Sequence, residues 1–457
     1  MDTTISIYLD TRRIKDDGLY PVKLRVYSNA LRKAKIYSLE QTIEEEEKKL
    51  IRDQNVQLVT EKESSLIITD LINMTKKEFE SVWQTEKPRK EHQPKRIFLN
   101  AIKKKGDDVA LTLNPFNFDA FEKKLFRKTG DGGNVFYQYE LMMNELKQKN
   151  SFGTALNYKM SLKSLKNFII YDKNLPEETV IKDLAFTEIT PDWLSDYENY
   201  MLDEMKRSRT TVSMYLRALR TIFNNAITEK EIPSEIYPFC REERERKTKY
   251  LIPSGENVKK ALDKEQLKKL FKAKPQTEEQ KKAKDFWFFS YACNGMNIKD
   301  IALLCWKDVD LIAGTLTFYR AKTIRTTRKP KRITAYLNDF SKSVIEKYCK
   351  RSKDKSDLVF PFIANSESEF ENFRKIKNFT RFVNQNIKTF AESIGLSDSI
   401  STYWARHSFA TTAIRNNGSM EFVSEALGHS DLKTTQNYFA GFTDETKKEF
   451  ADSIMNF

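Results

Sequence analysis

A histidine and a tyrosine in the segment LGHSDLKTTQNY have a spacing that could serve phosphoryl transfer. His429 is one of three histidines in the chain, and it stands nine residues ahead of Tyr438. A tyrosine hydroxyl can attack a phosphodiester if it loses its proton as it attacks. Arg406, in the segment TYWARHSFATTAI, is a candidate cation for the nonbridging oxygens, because a guanidinium group can bind two oxygens at once.

A basic segment between two predicted strands adds to this chemistry. From Arg320 to Arg332 the chain has seven basic residues and no acidic residue, which predicts a hairpin tip that contacts phosphates. Lys322, at the predicted strand end, could protonate a leaving oxygen. A single tyrosine on an amphipathic helix is typical of core packing, and a histidine after a glycine is typical of a helix cap, but the combination favours a catalytic cluster. The candidate DNA-binding residues at the tip are Arg325, Arg328 and Lys329.

These segments resemble the tyrosine recombinases of the phage integrase family. LGHSDLKTTQNY is similar to the end of the family signature, ARHSFAT to its LRHTFAT segment and FYRAKT to its lysine strand. The resemblance implies a site-specific DNA recombinase that cuts and rejoins strands, with Tyr438 as the nucleophile of a 3′-phosphotyrosine intermediate. It also implies that Arg406 and His429 bind the phosphate, that Lys322 is the general acid, and that no metal or cofactor takes part.

Two positions depart from the family pattern. Asn297 stands in the place of the first arginine, with Asp300 in the place of the acidic residue that follows it. Asparagine cannot make the forked contact of a guanidinium, and the loss of one such donor costs about 3 kcal/mol in the transition state. We expect Arg320, or else Arg325, to take its place. Tyr403 stands where the family has a histidine, and it can still donate a hydrogen bond to a phosphate oxygen.

The resemblance also predicts three regions, and a mainly α-helical, multidomain fold with small β-sheets. Residues 1–129 are expected to form an arm-type DNA-binding domain with a three-stranded sheet, because apolar residues alternate with polar ones from Ile5 to Val26. Residues 130–245 are expected to form a helical, SAM-like core-binding domain, and residues 255–457 a mixed α/β catalytic domain. Thr190, which precedes Pro191, and Asp263 are expected to be N-caps of helices in these regions. The candidate DNA-binding residues of the first two regions are Arg12, Arg13, Lys23, Arg25, Arg32, Lys33, Lys35, Arg217 and Arg220.

Composition agrees with a nucleic-acid partner. The 457 residues carry a formal net charge of +14, which favours a polyanionic ligand, although a lysine-rich soluble surface would give the same value. No apolar run approaches the roughly 18 residues of a membrane span, and the four separated cysteines are typical of reduced thiols. We therefore expect a protein of the bacterial cytoplasm that lies at the nucleoid, with no membrane partner.

Three functions fit these observations. The leading one is site-specific recombination that integrates or excises a mobile genetic element. The second is a catalytically weakened DNA-binding regulator with the same fold, and the third is a topoisomerase-like relaxing enzyme, which the arm-type region disfavours. Strand exchange needs two duplexes, so the leading function predicts double-stranded attachment sites with arm and core sequences, a homodimer or homotetramer on DNA, and possible host DNA-bending or excision factors.

Overall fold

The chain folds into two compact units. The computed structural model describes residues 3–15, 17–39, 71–127, 131–255, 261–324, 330–364, 366–429, 431–436 and 444–453. One unit comprises Met1–Glu145 and Gly153–Ser254, and the other comprises Leu146–Phe152 and Gly255–Phe457. Helices predominate and the sheets are small and antiparallel, as predicted. Across the described residues, every helix is too short or too polar to span a bilayer.

The first unit begins with the predicted three-stranded sheet. Strands β1 (Thr3–Leu9), β2 (Tyr20–Ser28) and β3 (Lys33–Ser38) lie in that order, and the two-residue strand β4 (Asn73–Met74) also pairs with β2. Alternate residues of β1 and β2, from Ile5 to Val26, are buried in the core. The period of two therefore gives one core face and one outer face, as the sequence predicted.

Helices cover the core face of this sheet and continue into a helical region. They are α1 (Lys76–Phe79), α2 (Gln93–Thr112), α3 (Phe118–Leu125), α4 (Val135–Gln148), α5 (Phe152–Asp172), α6 (Pro191–Asn199) and α7 (Arg209–Thr228). The predicted start of α6 is confirmed, because the Thr190 side chain accepts a hydrogen bond from the Trp193 amide and Pro191 occupies the first turn. Short π-helical turns, Glu80–Gln84 and Tyr200–Glu204, extend α1 and α6.

A buried ionic cluster lies between the end of α3 and the turn that follows α7. The Glu231 carboxylate accepts hydrogen bonds from Nη1 and Nη2 of Arg127, at 2.9 and 2.6 Å. Its Oε1 also lies 2.6 Å from Lys124 Nζ. Lys124 Nζ also donates to the Glu229 carbonyl at 2.8 Å. Residues on both sides of the proposed boundary at 129–130 are therefore bonded within one compact unit, and the division of that unit into two domains remains a prediction.

The second unit packs helices around a central helix and a three-stranded sheet. Its helices are α8 (Lys264–Lys272), α9 (Glu278–Ala292), α10 (Ile298–Ala302), α11 (Asp339–Tyr348), α12 (Glu369–Ser393), α13 (Thr402–Arg415), α14 (Met420–Leu427), α15 (Leu432–Gln436) and α16 (Asp444–Ser453). The sheet has the order β5 (Val309–Asp310), β6 (Thr315–Tyr319), β7 (Arg332–Tyr336). Phe286 and Phe289 of α9 pack with Leu316 and Ile333 of the sheet in one core. The predicted N-cap of α8 is confirmed at Asp263.

Candidate active site

Arg406 lies on the buried face of α13 and is held by backbone carbonyls. Its Nη1 donates to the Gly295 carbonyl at 3.0 Å and its Nη2 to the Leu427 carbonyl at 2.6 Å. Gly295 has a φ of +63°, and a Cβ atom there would lie 2.8 Å from Arg406 Cα. Only glycine allows the loop before α10 to approach α13 this closely. The loop before α10 and the end of α14 thus fix the position of the guanidinium group.

His429 follows α14 and faces Arg406. Gly428 ends the helix in the left-handed conformation, with a φ of +65°, as its place after Leu427 predicts. The His429 ring is buried, with Nε2 at 3.2 Å from Arg406 Nη2 and Nδ1 at 2.9 Å from Thr435 Oγ1. Burial, followed by the charges of Arg406 and Arg320, lowers the pKa of His429 to about 3. The imidazole is therefore neutral at physiological pH.

Arg320 joins the same cluster from the loop after β6. A Cβ atom built on Gly428 would lie 3.2 Å from Arg320 Cδ, so the arginine stem passes next to the residue before His429. Among the described residues, the buried Nε of Arg320 has no hydrogen-bond partner. The charge of Arg320 also acts on the pKa values of His429 and Asp300. Arg320, Arg406 and His429 therefore lie in one cluster.

Asp300 and Asn297 lie beside these cations on α10. The Asp300 carboxylate is buried and accepts the Ala321 amide at 2.9 Å, which ties α10 to the loop that carries Arg320. Burial raises the pKa of Asp300, although the Ala321 amide, the charges of Arg320 and Arg406 and a hydrogen bond from Asn297 act in the opposite direction. Asn297 is thus engaged with Asp300 in the place where the family has its arginine.

The described part of the hairpin contains two lysines, Lys322 and Lys331, which have different surroundings. Because β6 ends at Tyr319, Lys322 lies in an exposed turn rather than at the strand end, so that detail of the prediction is wrong. Lys331, another of the seven basic residues of this segment, donates from Nζ to the His429 carbonyl at 3.1 Å. The hairpin is thereby connected to the histidine loop. The predicted tip residues Arg325, Arg328 and Lys329 lie outside the described residues.

Tyr438, the predicted nucleophile, lies outside the described residues. Tyr403 lies at the edge of the cluster. Tyr403 precedes Arg406 by three residues on α13, so both side chains lie on the same side of the helix. Its side chain is half exposed and its ring meets that of His407 edge to face, with centroids 4.8 Å apart. Tyrosine therefore occupies this place with a half-exposed side chain.

In the first unit, most of the selected basic residues are exposed. Lys23 and Arg25 project from the outer face of β2, opposite the buried Val22 and Leu24. Lys23 and Arg12 both bind Asp10, at 2.8 Å each, and these contacts hold the pKa of that carboxyl well below its usual range. The exposed residues of the predicted set are Arg12, Arg13, Arg25, Arg32, Lys33 and, on α7, Arg217; Lys23 and Arg220 are half-buried.

Lys35 is the exception among the predicted DNA-binding residues. It shares a face of β3 with the buried Tyr37, and its Nζ binds Glu122 of α3 at 2.8 Å. Its ammonium group also lies 5.3 Å from the ring centroid of Phe118. The expectation that Lys35 belongs to the DNA-facing set is wrong, because the side chain points toward the helices that cover the sheet.

The chain is similar to known DNA recombinases. Residues 134–247 match the phage integrase SAM-like domain, and residues 260–444 match the phage integrase family. Tyrosine recombinase XerC of Halalkalibacterium halodurans is 24% identical over 301 residues, which cover 65% of this chain and 90% of XerC. Tyrosine recombinase XerD of Oceanobacillus iheyensis is 24% identical over 314 residues, which cover 67% and 92%. A structure of the Tn1549 transposon integrase with transposon right end DNA gives a TM-score of 0.47 at 14% identity, over 70% of this chain and 99% of that one.

The matched segments include every member of the cluster. Asn297, Arg320, Arg406 and His429 all lie within residues 260–444, as does Tyr438. The two family matches adjoin each other and together take in most of the chain from residue 134 onwards. The chain therefore belongs to the phage integrase family and is a site-specific tyrosine recombinase.

Proposed function

We propose that this recombinase integrates or excises a mobile DNA element through a 3′-phosphotyrosine intermediate formed by Tyr438. The observation that carries the proposal is the convergence of Arg406, Arg320 and the neutral His429. Two guanidinium groups beside an uncharged imidazole suit one phosphodiester, whose nonbridging oxygens gain charge as the tyrosine attacks. The tyrosine displaces the 5′-oxygen, and the phosphotyrosine bond conserves the energy of the broken bond for rejoining.

Arg320 is proposed to replace the missing first arginine. The Asn297 carbonyl accepts a hydrogen bond from the Asp300 amide at 2.9 Å, and its side chain offers no positive charge. The amide of Ala321, the residue after Arg320, donates to the Asp300 carboxylate, so the loop that carries Arg320 lies against α10. A guanidinium that enters from the hairpin could therefore reach the space that an arginine on α10 would occupy. Arg325, the other candidate, lies outside the described residues.

The remaining roles follow from position and chemistry. Lys322 is proposed as the general acid for the leaving 5′-oxygen, since an exposed lysine in a turn can reach DNA on its surface. Tyr403 is proposed to donate a hydrogen bond to a nonbridging oxygen. Lys331 is added as a link between the hairpin and His429, because it donates to the histidine carbonyl.

Double-stranded DNA is the proposed partner of both units. The outer face of the first sheet, with Lys23 and Arg25, is a suitable contact for an arm sequence, and Arg217 with Arg220 on α7 for a core sequence. This additional basic sheet is what favours a mobile-element recombinase with two classes of DNA site over a relaxing enzyme. We further propose that two or four protomers assemble on DNA, with host bending or excision factors where the sites require them.

A nicked suicide duplex tests the chemistry. The full chain is incubated with a duplex of the candidate attachment site, in which cleavage releases a short 5′ fragment and traps the covalent adduct. The expected result is a slow-migrating adduct on a denaturing gel with the native protein and none with Tyr438→Phe. Joint molecules between a circular attachment site and a second duplex would then establish integration.

The competing regulator predicts a different outcome. Its support is Asn297 in place of the first arginine. Sequence-specific DNA binding by the native protein, with no adduct on any nicked strand, would favour that regulator and remove the recombinase proposal. Restoration of an adduct by Asn297→Arg would identify the missing guanidinium as the cause.

A further inference from the structure

Helix α3 connects the first sheet to the helices α6 and α7 of the same compact unit. Glu122 of α3 accepts hydrogen bonds from two side chains of β3, from Lys35 Nζ at 2.8 Å and from the Tyr37 hydroxyl at 3.0 Å. Phe121 and Leu125 of the same helix are 0% exposed and belong to the core that lies against the sheet. The sheet therefore holds α3 by packing and by polar contacts.

The other end of α3 is bound by the turn that follows α7. Glu231, Lys124 and Arg127 form what is here named the Glu231 cluster. The Glu231 side chain is 5% exposed, and both of its oxygens are engaged by the two cations. A Cβ atom built on Gly132 would overlap Glu231 Oε2 and lie 2.9 Å from Arg127 Nη2, so the backbone at Gly132 closes over the cluster. The Gly132 carbonyl is held in turn by Gln138 of α4, whose Nε2 donates to it at 3.0 Å.

The chemistry of the Glu231 cluster favours a joint of one fixed geometry. A guanidinium that meets a carboxylate through two parallel hydrogen bonds is oriented in the plane of that carboxylate, and Arg127 meets Glu231 in this way. Burial disfavours the charged form of Glu231, but the hydrogen bonds from Arg127 and Lys124 outweigh burial and lower the pKa of the carboxyl. The charged carboxylate depends on both cations, since a buried charge without a partner is strongly unfavourable.

We propose that the Glu231 cluster joins the sheet region, β1–β3 with α3, and the helical region, α6 with α7, into one cooperative body. Neither region then opens without the other, and a ligand that binds one of them stabilises both. The proposed arm and core DNA surfaces lie on these two regions and are thereby energetically coupled within one protomer. Only this last step rests on the proposed function, because the cooperativity itself can be measured without DNA.

Hydrogen exchange of the full chain tests the cooperativity. Ile7 of β1 and Ile222 of α7 are buried, and replacement of either by valine should accelerate the slowest amides of its own region about 2- to 10-fold. In one cooperative body, Ile7→Val accelerates the slowest amides of α7 by the same factor, and Ile222→Val those of β1 and β2. Ile14→Val is the matched control at an exposed position and should change neither region. Native exchange of α7 in Ile7→Val, with faster exchange confined to the sheet, would overturn the inference.

Substitutions in the Glu231 cluster test its part in the coupling. Glu231→Gln keeps the shape of the side chain without its charge, and Arg127→Lys keeps the charge without the forked contact and serves where Glu231→Gln does not fold. In either background, Ile7→Val should no longer accelerate the slowest amides of α7. In Glu229→Gln the coupling should remain complete, because that side chain is exposed and Lys124 binds the Glu229 carbonyl. Complete coupling in folded Glu231→Gln or Arg127→Lys would show that packing alone joins the regions and would remove the role of the cluster.

Binding of DNA tests the functional consequence. A duplex with the candidate core sequence alone, added at about 100 times its dissociation constant, should slow the slowest amides of α7 by about 100-fold. The slowest amides of β1 and β2 should slow by an equal factor in the native protein, but not in Glu231→Gln or Arg127→Lys. Protection confined to α7 in the native protein would refute the coupling of the two DNA surfaces. If the core duplex does not bind at all, the proposed function fails, while the valine variants still decide the cooperativity.

Discussion

The close approach of Gly295 to Arg406 makes Gly295→Ala a specific test of how the site is positioned. Gly295 has a φ of +63°, and the added Cβ would lie 2.8 Å from Arg406 Cα and 2.9 Å from Cγ. Backbone atoms cannot turn away as a flexible side chain can. The substitution should therefore move α13 and the loop apart. This movement should lengthen the hydrogen bond from Arg406 Nη1 to the Gly295 carbonyl.

The expected loss of unfolding free energy in Gly295→Ala is the sum of two contributions. The left-handed conformation costs a residue with a Cβ about 1 to 2 kcal/mol, and overpacking of a tight contact adds about 1 to 3 kcal/mol. The unfolding free energy should fall by about 2 to 5 kcal/mol. To reach an ordinary contact near 3.4 Å, the two backbones must separate by about 0.6 Å. Because a 1 Å misplacement can cost about 100-fold in rate, adduct formation should slow by roughly 10- to 100-fold.

Gly314→Ala provides the matched control. Gly314 has a nearly equal φ of +66°, but its added Cβ would meet nothing closer than 3.7 Å. It therefore carries the conformational cost without the clash. Both variants are compared by chemical denaturation and by single-turnover cleavage of the suicide duplex. Equal losses of stability in the two variants, together with native cleavage by Gly295→Ala, would show that this contact does not position Arg406.

Three further perturbations test other parts of the molecule. Arg320→Ala should slow adduct formation by about 100- to 1,000-fold, whereas Arg332→Ala, at an exposed position, should change mainly DNA affinity. Equal cleavage rates of these two variants at saturating DNA would contradict the role of Arg320. Glu231→Gln should lower the unfolding free energy by about 3 kcal/mol, because two buried cations lose their partner, while the exposed Glu229→Gln should be neutral in the same denaturation experiment. The lowered pKa of His429 means that the unfolded chain takes up a proton below about pH 6.5 that the folded chain does not. Between pH 6.5 and 5.5 the native protein should therefore lose about 1 kcal/mol more stability than His429→Gln, and parallel pH curves would refute the neutral histidine.

Local patterns in the sequence predicted the elements whose stability depends on local interactions. Alternating apolar residues identified the first sheet, and Thr190 and Asp263 marked helix starts, because an N-cap is a contact between near neighbours in sequence. Lys35 was assigned wrongly because a count of basic residues ignores the register of a strand. It shares a face with Tyr37 at a spacing of two residues, and the same alternation that identified the sheet could have excluded it.

The contacts that assemble the site are long-range, and sequence alone could not rank them. Thr434 and Thr435 are identical by type, and they are distinguished only by the direction in which α15 faces His429. Lys331 was one of seven basic residues in its segment, and its contact with the His429 carbonyl spans 98 positions. Glycine is required at position 295 by the backbone of Arg406, which lies 111 positions away in the sequence.

The way in which the cations are held explains why the cluster can accept a phosphate. Arg406 donates to two backbone carbonyls, which orient its guanidinium without neutralising its charge. Asp300 is the acidic group beside it, but its carboxylate is engaged by the Ala321 amide and its pKa is raised by burial. With His429 neutral, the two arginines outweigh the single carboxylate, so the cluster keeps a positive charge in a site largely removed from water. Donors fixed in this way need little reorganisation when charge develops on a bound phosphodiester, and we therefore expect substitutions that release Arg406 from its carbonyls to slow cleavage more than they weaken DNA binding.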